Sequence, residues 1–318
     1  MEIAKTTNIK KNVKEMGFIP KISKDFRKFK FLYLMILPVL IFYIVFHYVP
    51  LYGAIIAFKD FNPSKGILSS PWAGLKHFEA FLTSFYFWRV FRNTLMINIY
   101  QLVFGFPAPI LLALLLNEIR SNALKRTVQT VTYMPHFISL VVVCGMVVDF
   151  TSSEGVINSL MTSLGGEKIM FLQKPEFFRA IYVGSGIWQG IGWGSIIYLA
   201  ALSGIDPSLY EAAIIDGAGR FKQLWHVTLP GLAPTIIILL ILHLGKMMNV
   251  GFEKVILLYN PATYETADVI SSFVYRRGLR EANWSFGSAV GLFNSLINLV
   301  LIVASNKISQ KLNETSLW

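Results

Sequence analysis

Leu232-Ala-Pro-Thr-Ile-Ile-Ile-Leu-Leu-Ile-Leu-His-Leu-Gly-Lys246-Met-Met-Asn-Val-Gly-Phe252 decides the fold. The run holds one formal charge, Lys246, and matches the requirement of a membrane-crossing α-helix, about 20 apolar residues for roughly 30 Å of hydrocarbon. Further apolar blocks of similar length occupy residues 31–49, 95–116, 131–150, 180–202 and 288–305. Of 318 residues, 54% are hydrophobic and 15% charged, whereas an ordinary soluble domain carries about 25% charged residues. The pattern predicts an all-α integral membrane protein with six transmembrane helices. Pro38, Pro107, Pro109 and the glycines between Gly184 and Gly194 lie inside these blocks and read as kinks or close packing, which membrane helices tolerate. Residues 50–58 are apolar but short and open on Pro50, so they read as an extension along the membrane surface.

Cytoplasmic segments retain lysine and arginine. Lys5, Lys10, Lys11, Lys14, Lys21, Lys24, Arg27, Lys28 and Lys30 precede the first block and place the N-terminus inside. An even number of spans returns the C-terminus, with Lys307 and Lys311, to the same side. Arg120, Lys125 and Arg126 support a cytoplasmic loop at 117–130, and 203–231 is then cytoplasmic too, although Arg276, Arg277 and Arg280 fall in an external loop. The expected organisation is a basic cytoplasmic segment (1–30), a first helix with its surface extension (31–58), an external loop (59–87), a helical core (88–305) and a cytoplasmic tail (306–318).

The net charge of +11 flanks the spans and comes without a nucleic-acid recognition motif, so topology and anionic lipid account for it. Thirty residues precede the first block and no small-residue cleavage site follows it, so that block reads as a retained anchor. The single cysteine, Cys144, excludes an intrachain disulfide and a thiol-rich metal site. No phosphate-binding G-x-x-x-x-G-K-[ST] loop, H-E-x-x-H helix or G-x-S-x-G elbow is present, and His47, His77, His136, His226 and His243 are dispersed. No catalytic residue and no metal or cofactor site of the chain's own is expected.

The segment before the quoted run is the most informative: Asp206-Pro-Ser-Leu-Tyr-Glu211-Ala212-Ala213-Ile-Ile-Asp216-Gly217-Ala-Gly-Arg220-Phe-Lys-Gln-Leu-Trp-His-Val227-Thr-Leu229-Pro230. Asp206 is a good N-cap, Pro207 suits the first helical position, and Gly217 is placed to end the helix with positive φ. A helix of about ten residues follows, roughly 15 Å long. Leu209, Ala212, Ala213 and Asp216 share one face with Glu211 beside them, and the alanines permit close approach of a partner. So short a helix is marginal alone and needs docking. It carries no Lys or Arg, unlike a helix that lies on anionic lipid.

Glu211-Ala212-Ala213, three residues, Gly217, nine residues, Val227, one residue, then Leu229-Pro230 resembles the EAA loop of permeases in binding-protein-dependent ABC importers, with Val227 where the family usually has isoleucine. The resemblance covers roughly residues 88–305. Leu32-Tyr33-Leu34, Leu37-Pro38 and Tyr48-Val49-Pro50-Leu51-Tyr52-Gly53 are similar to the carbohydrate-uptake branch, the MalF-like and LplB-like oligosaccharide permeases. The resemblance implies the type I importer permease fold and a cell-membrane subunit that pairs with a second permease, usually a different chain. It further implies two ATPase subunits that bind ATP and Mg, an extracytoplasmic solute-binding protein and an oligosaccharide substrate. Glu211, Ala212, Ala213, Asp216 and Gly217 would then dock the short helix in a groove of the ATPase, with Leu229 and Pro230 re-entering the membrane.

Candidates for the translocation path come from polar groups in the spans. Thr94, Asn98, Gln101 and Gly105 form one stripe, and Asn294 and Asn298 lie one turn apart. Both sets read as facing the bundle interior, either on sugar hydroxyls or bonding other helices. Gly186, Gly190 and Gly194 recur every four residues and read as helix packing. Trp188 and Ser195, with Gly192, share the opposite face, where an indole could stack on a sugar ring. Lys246 could attract an anionic sugar or pair with Asp149. The rival from another class, an ion-gradient-driven secondary transporter, requires intramembrane carboxylates, of which the blocks hold few.

Overall fold

A computed structural model describes residues 28–313. The basic residues Lys5 to Arg27 and the tail beyond 313 lie outside them. The chain divides into two units, 1–55 and 56–318.

The first unit holds helix α1, Lys30–Tyr43, continued by a π turn, Ile44–Tyr48, and a short turn, Val49–Leu51. Every residue from Lys28 to Tyr52 is exposed. Side chains this apolar belong in hydrocarbon. Pro50 does not end the helix: the chain passes in helical conformation from the π turn Ile44–Tyr48 into Val49–Leu51. Residues Tyr52–Phe58 form a 3₁₀ helix.

The second unit is built around a long helix. Its main elements are α2 (Phe87–Tyr100), α3 (Pro107–Glu118), α4 (Asn122–Tyr133), α5 (Leu140–Thr151), α6 (Pro175–Ser203), α7 (Pro207–Ile215), α8 (Leu229–Leu244), α9 (Phe252–Leu258) and α10 (Trp284–Asn313). Among the described residues there is no strand, only an isolated bridge between Lys59 and Trp72. A π turn, Gln101–Gly105, joins α2 to α3, which pack along α6. One apolar core gathers Ala113, Tyr198, Leu202 and Leu232 where α3, α6 and α8 meet. A second sets Ile97 of α2 and Cys144 of α5 against Phe178, Tyr182 and Val183 of α6. A third, around Phe81, Val90, Ile270, Phe273 and Val290, lies between α2, α10 and the 264–274 segment.

Among the described residues, five helical stretches are long and apolar enough to cross a membrane: Lys30–Phe58, Phe87–Glu118, Leu140–Ser163, Arg220–Leu244 and Trp284–Lys311. The block at 180–202 forms helix α6, 29 residues long, which is not among these five, because its glycines, serines and aromatic residues make it less apolar than the others. The expected span at 131–150 is not continuous. Helix α4 ends at Tyr133, Met134–Phe137 forms a 3₁₀ turn around Pro135, and Ser139 caps α5 by accepting from the Val142 N–H at 3.4 Å. Pro135 lacks an N–H and stops the helix instead of kinking it.

Candidate coupling loop and translocation path

Helix α7 forms as its caps dictate. The Asp206 carboxylate accepts from the Ser208 N–H at 2.9 Å, and that bond holds the carboxyl below the usual carboxylate range. At the other end Gly217 has φ of +74°, Ala218 N–H donates to Ala213 O at 2.8 Å and Gly217 N–H to Ile214 O at 3.0 Å. These paired bonds are a Schellman ending. Asp216 is its C-cap. Glu211, Ala212 and Asp216 are exposed and Ala213 is half-buried, on a helix with no buried residue.

Beyond Gly217 the chain turns into a short helix, Arg220–Gln223, and a π turn, Leu224–Thr228, which feed α8. Leu229 is half-buried and Pro230 stands in the first turn of α8. Ile214, Ile215, Phe221 and Trp225 are exposed, Ile215 at 85%. Sequence reading passed over Phe221 and Trp225. Their spacing of four residues on one helical face was the available signal.

The membrane half distributes the polar candidates differently. Asn98 is buried and spends its amide on Thr94 O of its own helix at 2.8 Å, while the Thr94 hydroxyl accepts the Ile270 N–H at 2.9 Å. Asn294 and Asn298 both donate to the Asn249 side-chain oxygen, at 2.8 and 3.1 Å, and Asn298 accepts the Met248 N–H at 2.9 Å. These asparagines brace α10 against the turn after α8. The π turn rotates the stripe, so that Gln101 and Gly105 line a cavity of about 440 Å³ with Gly186, Gly190, Gly194 and His243.

On α6 both faces make close contacts, the tightest of them at Gly192. Gly190 has open space where a Cβ would stand, whereas a Cβ on Gly192 would overlap the Thr132 carbonyl oxygen. The opposite face therefore makes the tight helix contact. Ser195 is fully buried there, its hydroxyl donating to Gly192 O at 2.6 Å, and Trp188 is 44% exposed. Within the stripe, Gly194 packs closely on Pro109 of α3 and Gly186 faces the Lys254 side chain of α9, so only Gly190 stands in open space. Beside this face the broken α4–α5 connection stacks His136 on Trp193 at 4.5 Å, and the Gln189 amide donates to Ile138 O at 3.3 Å. Non-helical backbone at membrane depth is tolerated where protein covers it or where it lines a wet cavity.

Lys246 is exposed and among the described residues forms no ion pair, so the expected pairing with Asp149 is not made. Lys254 on α9, only 7% exposed, escaped the sequence reading. Its Nζ donates to Tyr182 O at 2.8 Å, lies 4.8 Å from the centre of the Tyr182 ring and reaches the glycine face beside Gly186. Arg179 lines a second cavity of about 440 Å³ with Tyr100 and Phe104, donating to Asn93 Oδ1 at 2.9 Å.

Residues 105–314 match the family model of the binding-protein-dependent transport system inner membrane component. The chain belongs to that family. This binding-protein-dependent permease is 45% identical to protein LplB of Bacillus subtilis (strain 168) over 306 residues, 96% of this chain and 95% of that protein. It is 46% identical to the polygalacturonan/rhamnogalacturonan transport system permease protein YteP of the same organism, covering 91% of this chain and 90% of YteP. Among solved structures, it superposes with a TM-score of 0.86 at 43% identity on a chain of a bacterial alginate ABC transporter, crystallised with its alginate pentasaccharide-bound periplasmic protein. That match covers 92% of this chain and 99% of the other. The permease is thus a multi-pass inner-membrane subunit of an ABC importer, a class that works with a partner permease, an ATPase and a binding protein. Membership in the family sets aside the ion-driven secondary transporter.

Proposed function

We propose that this chain is one of two different permeases in an importer of carboxylate-bearing oligosaccharides. Two separate ATPase subunits bind ATP and Mg and drive it, and an extracytoplasmic binding protein delivers the solute. The permease itself performs no catalysis. It spans the membrane six times, α6 included, with both ends in the cytoplasm.

The observation that carries this reading is α7, a helix with defined caps at both ends and no buried residue of its own. It presents Glu211, Ala212 and Ile215 to a partner. Closure of the ATPases would move α7, and with it α8, to switch the path between outward and inward access.

The substrate class draws on two supports. YteP is described as a polygalacturonan/rhamnogalacturonan permease, and the solved transporter imports the acidic polysaccharide alginate. Within this chain, Lys254 behind Gly186, Arg179 and the unpaired Lys246 supply cations along α6 and at the end of α8. Cations in an apolar setting attract an anionic solute strongly because the local dielectric is low. Gln101 and His243 are the polar groups of the path on the glycine face. Trp188, 44% exposed on the face opposite the glycine stripe, keeps its proposed role as a stacking surface.

The test is the purified importer in proteoliposomes, offered an oligogalacturonide and a neutral oligosaccharide of equal length. Import and ATPase stimulation by the acidic chain alone are expected. Import of the neutral chain alone would overturn the substrate class. Failure of an ATPase to co-purify would overturn the importer reading.

A further inference from the structure

Helix α7 transmits movement only if it moves as one body with the foot of α8, and the chain between them includes the Gly217 turn, which could absorb a push by bending. A closed ring of hydrogen bonds bridges it. The Tyr210 hydroxyl lies 3.1 Å from the Thr228 hydroxyl, and Thr228 Oγ1 donates to Gln223 O at 3.4 Å. Either hydroxyl can be the donor of the Tyr210–Thr228 bond. The Gln223 amide in turn donates to Ala218 O at 2.8 Å, and Ala218 N–H donates to Ala213 O at 2.8 Å, back on α7. The ring therefore runs Tyr210, Thr228, Gln223, Ala218, Ala213.

The π turn makes the ring possible. Threonine in an α-helix back-bonds the carbonyl three or four residues earlier, whereas Thr228 reaches Gln223, five residues earlier, because Leu224–Thr228 is widened by one residue. Thr228 is 5% exposed, so water competes little for its hydroxyl. Among the described residues of α7, Tyr210 is the one whose side chain hydrogen-bonds another helix.

We propose that the Tyr210–Thr228 hydroxyl pair is a transmission strap: a positioning contact that makes the coupling helix and the foot of α8 a single rigid lever. This rests on the reading of α7 as the coupling helix. Without the strap, ATPase closure would flex the 216–219 turn and part of each stroke would be lost. The second tie from this loop, Arg220 to Glu118 at 3.4 Å, is more than half exposed on both sides and is a weak restraint beside it.

The experiment measures ATP hydrolysed per oligosaccharide imported, in proteoliposomes holding the complete importer. Tyr210→Phe keeps the ring and the docking face, and Thr228→Val keeps the volume. Each should raise the ATP-to-solute ratio by roughly fivefold, the factor that corresponds to one ordinary net hydrogen bond. The double variant should be no worse than either single one, since both remove the same contact, and Thr228→Ser should retain the parental ratio. A merely structural role would reduce the amount of assembled complex and leave the ratio unchanged. Glu211→Lys serves as the reference for coupling. If Glu211→Lys abolishes transport while Tyr210→Phe keeps the parental ratio, the strap is wrong and the coupling helix stands. If Glu211→Lys is itself fully coupled, the reading of α7 fails.

Discussion

Gly192 on α6 and the carbonyl oxygen of Thr132 at the end of α4 meet backbone to backbone, with no room for a Cβ between them. The contact holds the end of α4 against α6, in the part of the bundle where the His136–Trp193 stack lies.

Gly192→Ala should therefore separate two helices and lower the yield of assembled complex in the membrane several-fold, since overpacking a tight contact costs about 1–3 kcal/mol. Gly190→Ala, two residues away with open space at its Cα, should leave the yield unchanged. Quantitative immunoblotting of purified membranes checks both. Equal yields would show that the close contact is not needed for assembly.

Asp268 is fully buried and accepts from Arg89 at 3.1 Å and from Arg276 at 2.6 Å, while its other oxygen accepts the Ser272 hydroxyl at 2.8 Å. Removing one partner of a buried pair commonly destabilises by about 3–5 kcal/mol, because the remaining charge is left uncompensated. Asp268→Asn should lower the thermal unfolding midpoint of the detergent-solubilised importer by several degrees. A midpoint equal to the parent's would mean that the two arginines find other partners or are hydrated.

The topology is tested with cysteines at Glu154 and Lys307, both exposed, in a chain whose native Cys144 is buried. An impermeant thiol reagent applied to intact cells should label position 154 and spare 307. Labelling of both positions from outside would break the model with six spans and both ends inside.

The coupling loop was legible because its determinants are local. Asp206, Pro207 and Gly217 specify a helix start and stop through their own backbone preferences, and the φ of +74° at Gly217 follows from the sequence alone. The apolar blocks were legible for a similar reason, since length and composition suffice. What sequence could not decide was which face of a helix meets which neighbour. Glycine serves both close packing and an open cavity lining, so the stripe Gly186–Gly190–Gly194 read as packing, yet Gly190 faces open space and the tightest contact falls at Gly192 on the opposite face. The break at Pro135 was hidden in an apolar run, because proline kinks some membrane helices and ends others. Lys254 was missed because its burial depends on a carbonyl 72 residues away. Asn98 and Thr94 were seen as polar and interior, but the Ile270 N–H that Thr94 bonds lies 176 residues along the chain.

The central claim is that ATPase closure reaches the membrane helices through α7, and transport measured together with ATP hydrolysis in proteoliposomes of the complete importer tests it most directly. Gly217→Val places a β-branched residue at φ of +74° with open space around it, so its effect is backbone strain, roughly 1–2 kcal/mol or more, and not a clash. Glu211→Lys reverses a charge on the exposed docking face without altering the caps. Both variants should reach the membrane at parental levels, lose import by on the order of tenfold, a change of about 1.4 kcal/mol, and lose the stimulation of ATP hydrolysis by loaded binding protein. Parental import with parental stimulation in both variants would contradict the account.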